Sequence, residues 1–364
     1  MERREFLRLG LPVATALAGL ACARRQSAPA AHASSTVTVR WRLATSWPPN
    51  LPVFDHAPHR LAELLSAMSG GRFILEVDPA TKHKAPFGVF DLVRNGTYDM
   101  AHTAAYYWKG KDPAMALLTT VPFGMNVWEQ YAWFYYGGGL ELMEKAFRPH
   151  GLLSFPAGNT GVQMGGWFRK EIRSVADFKG LKIRIPGLGG EVLARLGAEP
   201  ITLPAGELYT ALEKRVIDAV EWVSPGIDLL MGFQEIAEYY YLGWHEPAAE
   251  LQYLVNRRRF EELPEDLRAM LLVAMKETAL DTTSEFYMRN IEGLETLRTK
   301  YPRVQLRRFP EEVLAELKQQ TQALLQEYAQ RSPLFAEIWQ HQQRFLQRAR
   351  QWTEISEQYY LTIR

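Results

Sequence analysis

The chain has 364 residues, 47% of them hydrophobic and 23% charged, and its formal net charge is +1 at pH 7. This length suffices for two ordinary domains, and the composition is typical of a soluble globular protein. The balanced charge excludes the basic surplus with which proteins bind nucleic acid.

The first 33 residues have the pattern of an export signal. A basic start at Arg3-Arg4 precedes an apolar run over 9–23, and an A-x-A site follows at 31–33. The run is too short to predict a membrane span. The stretch "RREFLR" resembles a twin-arginine signal, although Glu2 stands where Ser or Thr is usual.

Cleavage of this segment changes the chemistry expected of the mature chain. It removes five Arg and two Glu, so the formal charge falls from +1 to about −2. It also contains Cys22, the only cysteine, so the mature chain is predicted to have no thiol or disulfide. A lipid anchor on Cys22 is the alternative, but "GLAC" is a poor lipobox because Gly19 replaces a large aliphatic residue.

A β-α-β-α-β unit opens the mature chain. Alternating apolar residues predict strands over 36–45, 72–77 and 98–105, and helical spacing predicts helices over 55–69 and 87–96. Gly70-Gly71 should end the first helix. This order of elements favours an α/β fold.

The same order returns in the middle of the chain. Strands are predicted over 181–186, 199–204 and 216–222, and helices over 189–197 and 206–215. Residues 90–101 also align loosely with residues 209–220. Two similar units in tandem suggest two lobes with a cleft between them.

The chain is predicted to be helical from about residue 262 onward. Residues 264–300 have helical spacing, and apolar residues recur at three and four positions between Phe335 and Trp352. Two interpretations stay open for this tail: a helix that packs on its own domain, or a helix shared with a partner subunit.

Signatures of catalysis are mostly absent. The sequence has no G-x-S-x-G, no P-loop and no H-E-x-x-H, and its eight His form no cluster suited to zinc. "GLGGEV" (187–192) follows a predicted strand like a dinucleotide-binding loop, but Val192 occupies the place of the third glycine.

Polar side chains at the ends of predicted strands are the candidates for ligand binding, because α/β lobes bind ligands there. Arg184 has two interpretations: it holds a carboxylate through paired hydrogen bonds, or it makes an internal ion pair. Glu221 and the backbone carbonyl of Trp222 together offer oxygens to a hard cation. Further oxygens could come from Asn159, Gln163, Glu246 and Glu250, although each could equally lie at the surface.

Five stretches in order resemble the extracytoplasmic solute receptors of TRAP transporters. They are "WRLATSWPP", "GRF-LEV", "FDLVRNGTYDMAHTAAYYWKGKDPA", "GLKIRIPGLGGEVLARLGA" and "DAVEWVSP…YYYLGWHEPA". The resemblance covers nearly the whole mature chain. It is greatest to the branch that binds 2-oxo or 2-hydroxy monocarboxylates with a metal ion, and the Glu-Trp pair disfavours a sugar acid.

The resemblance implies an α/β, two-lobed periplasmic binding protein of the type II-like kind, with a long C-terminal helical region. The implied domains are listed in chain order: an export signal (1–33), lobe 1 (36–157, with part of 247–364), lobe 2 (158–246), and helices that bridge the lobes and form a dimer contact (262–364).

The resemblance also implies roles for individual residues. The organic acid would contact Arg184, Asn159, Tyr106 and Gln163, with Tyr106 favoured over Tyr107. The metal ion would be held by Gln163, Glu221, Trp222 and Glu246, with Glu250 as a further candidate. Trp47, Phe168 and Trp222 are interpreted either as pocket walls or as core residues.

The expected function is that of a periplasmic receptor, not an enzyme, which delivers a lactate- or pyruvate-like acid to membrane permease subunits. Calcium is the expected ion, with sodium as the alternative, and a homodimer is expected. Two other functions stay open: a metal-dependent hydrolase or lyase acting on a small organic acid, and a sensor subunit that presents its ligand-bound form to a signalling protein.

Overall fold

Two β-sheets organise the chain, and each contains a parallel unit of three strands. The structure is a computed structural model that describes residues 38–364. The predicted export signal and Cys22 lie outside the described residues. The strands are β1 (Val39–Thr45), β2 (Phe73–Asp78), β3 (Met100–Thr103), β4 (Leu152–Asn159), β5 (Gly166–Phe168), β6 (Lys182–Arg184), β7 (Glu199–Ile201), β8 (Ala219–Val220), β9 (Tyr239–Tyr241), β10 (Glu250–Asn256) and β11 (Gln305–Arg307).

The first sheet has the order β2-β1-β3-β10-β4, and the second has the order β11-β9-β5-β8-β6-β7. In the first sheet β1 pairs in parallel with β2 and β3, and in the second β6 pairs in parallel with β7 and β8. The tandem repeat of strand order predicted from the sequence is therefore confirmed, and the mixed α/β class with it.

Helices connect and cover the sheets. They are α1 (His56–Ser69), α2 (Ala80–His83), α3 (Val89–Arg94), α4 (Val127–Tyr136), α5 (Gly139–Phe147), α6 (Gly187–Arg195), α7 (Leu208–Glu213), α8 (Pro225–Asp228), α9 (Arg257–Glu261), α10 (Glu265–Lys300), α11 (Glu311–Arg331), α12 (Pro333–Thr353) and α13 (Tyr359–Ile363). Gly70 ends α1 with φ +61°, as predicted, because glycine adopts this left-handed conformation without strain. Asn126 and Glu129 form a reciprocal capping box that starts α4.

From residue 265 onward the chain is helical, as predicted, apart from the short strand β11. Helix α10 is 36 residues long and packs against α1, β4 and α8. In α12, Phe335 and Ile338 are fully buried, so this part of the tail packs on its own chain. No helix within residues 38–364 is both long and apolar enough to cross a membrane.

One predicted strand is much shorter than expected. Residues 216–222 contain only the two-residue strand β8, so Glu221 and Trp222 follow the strand instead of lying in it. The backbone N–H of Glu221 still donates to the Arg184 carbonyl at 2.9 Å, but regular pairing ends there. Both residues are nevertheless buried, although no regular strand extends to them.

The chain passes from the first sheet to the second after β4 and returns before β10. The two passing segments lie side by side: the N–H of Thr160 donates to the Ala249 carbonyl (3.1 Å), and the N–H of Gln163 donates to the Glu246 carbonyl (2.9 Å). Residues from both segments and from the strand ends thus meet between the sheets.

Candidate ligand-binding and metal site

Arg184, the last residue of β6, is buried with 1% of its surface exposed. Its Nη1 donates to the Glu221 carbonyl (2.7 Å) and lies 3.4 Å from Glu221 Oε2, and its Nε donates to the Leu203 carbonyl (3.3 Å). Its Nη2 has no hydrogen-bond partner among the described residues. Arg184 thus contacts a carboxylate of its own chain, as the ion-pair interpretation has it, and its contact with a ligand carboxylate stays a prediction.

Two buried carboxylates and one imidazole meet next to Arg184. Glu221, His245 and Glu246 each offer an atom within 4.8 Å of the others, and all three residues are buried. Glu221 Oε1 and Glu246 Oε2 have no hydrogen-bond partner within residues 38–364. Carboxylates buried in this way need a compensating positive charge, because desolvation strongly disfavours their ionised form.

The pKa values of Glu221 and Glu246 show how strongly burial disfavours their charged forms. Burial raises the pKa of Glu221 to about 8, although the nearby Arg184 charge acts to lower it. Burial, together with the charge of Glu221, also raises the pKa of Glu246 to about 8. Burial lowers the pKa of His245, so its imidazole is neutral.

Gln163 adds a third oxygen to this group. Its Nε2 donates to Thr160 Oγ1 (2.9 Å), which leaves Oε1 buried and without a partner in the described part of the chain. Its backbone N–H donates to the backbone carbonyl of Glu246, and its side chain lines the same pocket as Trp222. Unpartnered oxygens of Gln163, Glu221 and Glu246 match the oxygen ligands that Ca²⁺ and other hard cations require.

Aromatic side chains enclose the neighbouring pocket. Six of the residues that line it are Trp47, Phe54, Tyr106, Tyr107, Gln163 and Trp222. The Arg184 guanidinium lies 5.0 Å from the centre of the Trp222 ring, a cation–π contact. Trp222 Nε1 is a second buried donor without a partner in residues 38–364.

Tyr106 and Tyr107 come from the turn after β3 and lie with their ring centres 4.8 Å apart. Burial raises the pKa of Tyr106 well above its usual value, and burial raises that of Tyr107 to about 12, so both hydroxyls stay protonated. Both line the pocket, and their positions do not distinguish between them.

Asn159 and Glu250 belong to a separate hydrogen-bond network. Asn159 Nδ2 donates to Gln130 Oε1 (2.6 Å) and to Glu250 Oε2 (3.1 Å), and its Oδ1 accepts from the N–H of Gly161. Glu250 Oε1 accepts from two backbone N–H groups of β4. The side-chain groups of Asn159 and Glu250 therefore have protein partners already, and Glu250 is not part of the three-residue cluster.

Phe168 is not a wall of the pocket. Its ring packs against Tyr241 and Phe309, at 5.1 and 6.0 Å between ring centres, in the interior of the second sheet. Of the two interpretations given for this residue, core packing is the one that the structure shows, because β5 points Phe168 towards that aromatic cluster.

Sequence reasoning missed His245. A zinc-site pattern of spaced His pairs does not include it, because its neighbours in the cluster are two glutamates. Glu246 is adjacent to it in sequence, and Glu221 is distant. Its place directly before Glu246 in "GWHEP" was the available signal. Residues 244–245 form a bend, so neighbouring side chains here do not alternate between two faces as they would in a strand. The adjacent side chains of His245 and Glu246 therefore belong to the same cluster.

Comparison with known proteins places these features in a family context. Residues 43–331 match the family described as bacterial extracellular solute-binding protein, family 7. The chain is 38% identical over 358 residues to a monocarboxylate 2-oxoacid-binding periplasmic protein of Nostoc sp., which covers 98% of this chain and 97% of the relative.

Two solved structures are similar over most of the chain. A TRAP periplasmic solute-binding protein of Colwellia psychrerythraea, with bound calcium and pyruvate, is 51% identical with a TM-score of 0.88 (89% of this chain, 99% of that one). One from Pseudoalteromonas atlantica, with bound sodium and pyruvate, is also 51% identical, with a TM-score of 0.89 (90% and 99%).

Proposed function

The chain belongs to family 7 of the bacterial extracellular solute-binding proteins, the periplasmic receptors of TRAP transporters, and we propose that it binds a small 2-oxo or 2-hydroxy monocarboxylate together with a metal ion. Members of this family are transport receptors and not enzymes, so a hydrolase or lyase is not supported. Pyruvate is the leading ligand and lactate the second. The membrane permease subunits of a TRAP transporter are the proposed recipients.

One observation carries the proposal: buried acceptors and donors without partners belong to residues that contact one another or line the same pocket. Oxygens of Gln163, Glu221 and Glu246 require a cation, while Arg184 Nη2 and Trp222 Nε1 require an acceptor. Buried polar groups in folded proteins are nearly always satisfied, so this set indicates a ligand with both kinds of partner. A cation together with a carboxylate supplies both.

The residues proposed to hold the ion are Gln163, Glu221, Glu246 and the backbone carbonyl of Trp222. A bound cation would neutralise the carboxylates and offer coordination to an acid that has an oxygen at C2. The two buried glutamates favour calcium over sodium. Structures similar to this chain contain one or the other ion with pyruvate, which supports both choices.

Arg184, Tyr106, Gln163 and Asn159 are the residues proposed to contact the acid. Arg184 supports the proposal best, since its guanidinium is buried with one free donor. Asn159 supports it least, because its amide group is already bonded to Gln130 and Glu250.

Calorimetry with three acids tests the proposal. Pyruvate and lactate should bind in the presence of Ca²⁺, butyrate should bind far more weakly because it lacks the C2 oxygen, and NMR should show all three acids chemically unchanged. Arg184→Met should raise the Kd for pyruvate about 30-fold or more, because truncating one partner of a buried charge pair costs about 2–5 kcal/mol. Equal binding of butyrate and pyruvate would contradict the proposed ligand class.

We also propose that the receptor is a homodimer joined through its C-terminal helices. Trp352 and Ile355 are 65% and 70% exposed, and Tyr359, Tyr360 and Ile363 are also exposed. Exposed apolar patches of this kind indicate an interaction surface. Light scattering should give the mass of a dimer for the wild type and that of a monomer for the Trp352→Glu, Ile355→Glu variant. A dimeric variant would exclude this surface.

Export by the twin-arginine route is proposed from the sequence of residues 1–33 alone. Replacing Arg3 and Arg4 by Lys should leave the protein in the cytoplasm of a bacterial host, as measured by cell fractionation. Normal export of that variant would show that another export route is used.

A further inference from the structure

His245 is a buried imidazole that the proposed ion and acid contacts leave unexplained. It is 1% exposed, and neither ring nitrogen has a hydrogen-bond partner among the described residues. Its Nε2 lies 3.4 Å from Glu221 Oε1. Burying an imidazole whose nitrogens make no hydrogen bond costs free energy, and such groups are rare in folded proteins. The two unpartnered nitrogens therefore indicate that His245 gains a partner when ion and acid are bound.

The His245 side chain packs against Gly189, where a larger residue would crowd it. A Cβ on Gly189, in the first turn of α6, would lie 3.2 Å from both Cβ and Cδ2 of His245. This approach is close enough that the imidazole would have to shift. The glycine-rich stretch 187–192, which resembles a dinucleotide loop in the sequence, thus provides the surface on which His245 packs.

The distance between His245 and Glu221 fits two ligands of one ion. Atoms bound to the same metal at about 2.0–2.2 Å lie roughly 3 to 4.4 Å from one another. The 3.4 Å between His245 Nε2 and Glu221 Oε1 is within that range, and the cluster that includes Glu246 extends over at most 4.8 Å.

We propose that His245 is a ligand of the cation site, and that the site therefore binds first-row divalent ions such as Mn²⁺ or Zn²⁺ in addition to calcium. This inference rests on the proposed function, because it concerns the same site. Two carboxylates with one imidazole form a donor set that suits first-row transition metals, whereas calcium and sodium are bound by oxygen ligands.

The proposal makes His245 a residue that determines metal selectivity. Removing the imidazole should weaken Mn²⁺ binding by at least about tenfold, the loss that follows even from removing an indirect partner of a metal ligand. Ca²⁺ binding should change by much less, because calcium gains little from a nitrogen ligand. The ratio of the two affinities is thus the quantity that the proposal predicts.

The experiment uses the purified full-length protein, freed of metal with a chelator and titrated with MnCl₂ or CaCl₂. Pulsed EPR of the Mn²⁺ form should show coupling to a directly bound ¹⁴N nucleus, and His245→Gln should abolish it. Gly189→Ala, which displaces the ring without removing it, should weaken the same coupling. His59→Gln, at an exposed histidine, is the matched control and should change nothing.

Three results would overturn the proposal. They are the absence of nitrogen coupling in wild-type protein, an unchanged ratio of Mn²⁺ to Ca²⁺ affinity in His245→Gln, and no binding of Mn²⁺ at all. Calorimetry with pyruvate and Ca²⁺ separates this failure from failure of the proposed function, since the receptor can bind both without a nitrogen ligand. Circular dichroism confirms that each variant is folded.

Discussion

Glu221 combines three properties: it is fully buried, its Oε1 has no partner in residues 38–364, and its pKa is raised to about 8 by burial. Arg184 compensates the charge only in part, at 3.4 Å. Single side chains in such surroundings respond to mutation through both charge and solvation, so they are the most informative positions of this molecule.

Glu221→Gln should abolish the stabilisation that calcium gives. In the wild type, Ca²⁺ at 100 times its Kd should add about 2.7 kcal/mol to the free energy of unfolding, because it binds the folded state. In Glu221→Gln this gain should fall below about 1 kcal/mol, while the metal-free protein stays folded. Thermal unfolding with and without CaCl₂ measures the difference.

Glu250→Gln is the matched control for that experiment. Glu250 is equally buried, but backbone N–H groups and Asn159 satisfy its oxygens. We expect its calcium-dependent stabilisation to equal that of the wild type. A full calcium effect in Glu221→Gln, or its loss in Glu250→Gln, would contradict the assignment of the ion site.

His102 makes stability depend on pH. Burial lowers its pKa to about 3, and its Nδ1 accepts a hydrogen bond from Trp47 Nε1 (3.1 Å), which requires an unprotonated Nδ1. The unfolded chain, with a His pKa of about 6.5, binds this proton more readily. Stability from His102 is thus complete above about pH 6.5 and falls as the pH decreases towards 3.

Urea unfolding at pH 7.5 and 5.0 measures this effect. His102→Gln should reduce the loss of stability between these pH values by roughly 1–2 kcal/mol, since one proton is worth about 1.4 kcal/mol per pH unit. The exposed His59→Gln serves as the reference variant and should retain the wild-type dependence. Identical pH dependence in His102→Gln and the wild type would refute the role of His102.

At the scale of elements, the chain depends on unusual backbone conformations where it leaves β4 for the second sheet. Gly158, near the end of β4, has φ +119°, and a Cβ there would lie 2.4 Å from Thr282 Cγ2. Gly161, three residues later, has φ +75° but open space around it. Both positions favour glycine, and only the first also excludes side-chain volume.

Gly158→Ala should therefore destabilise the fold far more than Gly161→Ala. Backbone strain alone costs about 1–3 kcal/mol, which is the range expected for Gly161→Ala. Gly158→Ala adds a clash with helix α10, so we expect more than about 3 kcal/mol. Chemical denaturation of the two variants gives both values, and equal losses would show that crowding by Thr282 is relieved without cost.

The same scale shows how far the sequence predicts the structure. Alternating residues predicted β1 and β2 well, because one face of each strand is exposed and periodicity of two is then visible. Strand β10 (Glu250–Asn256) was missed because all seven of its residues are buried, so no alternation exists to detect. The short strands β5 and β9 contain three residues each and carry too little pattern to be recognised.

The candidate site was predicted unevenly for a related reason. Arg184, Glu221 and Glu246 were predicted from the sequence because charged residues next to apolar strands are conspicuous, and the family resemblance implied their roles. His245 depends on a bend, and the internal partners of Asn159 depend on tertiary contacts with Gln130 and Glu250. Neither a bend nor a tertiary contact is encoded in local periodicity.

At the scale of the whole molecule, a group of polar contacts around Glu191 joins three distant parts of the chain. Lys109, after β3 of the first sheet, donates to the Gly187 carbonyl (3.0 Å) and pairs with Glu191 of α6. Tyr328 of α11 donates to the same Glu191 carboxylate at 2.8 Å. We propose that the two sheets belong to separate lobes that move apart when the ligand leaves, and the Lys109 contact must then break in that step.

Lys109→Met should weaken pyruvate binding roughly two- to fivefold through faster dissociation, because a partly exposed ion pair contributes about 0.2–1 kcal/mol. Stopped-flow fluorescence of the pocket tryptophans measures the dissociation rate. Lys111→Met removes a neighbouring lysine that pairs with Asp91 on the first-sheet side only, so its rate should stay unchanged. Equal rates in both lysine variants would show that the Lys109 contact does not restrain release.

The contact of α10 with α8 is made by backbone against backbone. A Cβ on Gly226 would lie 2.5 Å from the Arg289 carbonyl, and a Cβ on Gly293 would lie 2.5 Å from the Gly226 nitrogen. Helix α8 begins three residues after Trp222. A side chain at either glycine would therefore displace α8 and, with it, the candidate ligand residues Glu221 and Trp222. In a saturation library selected for growth on the transported acid, these two remote positions should tolerate as few amino acids as Arg184 itself.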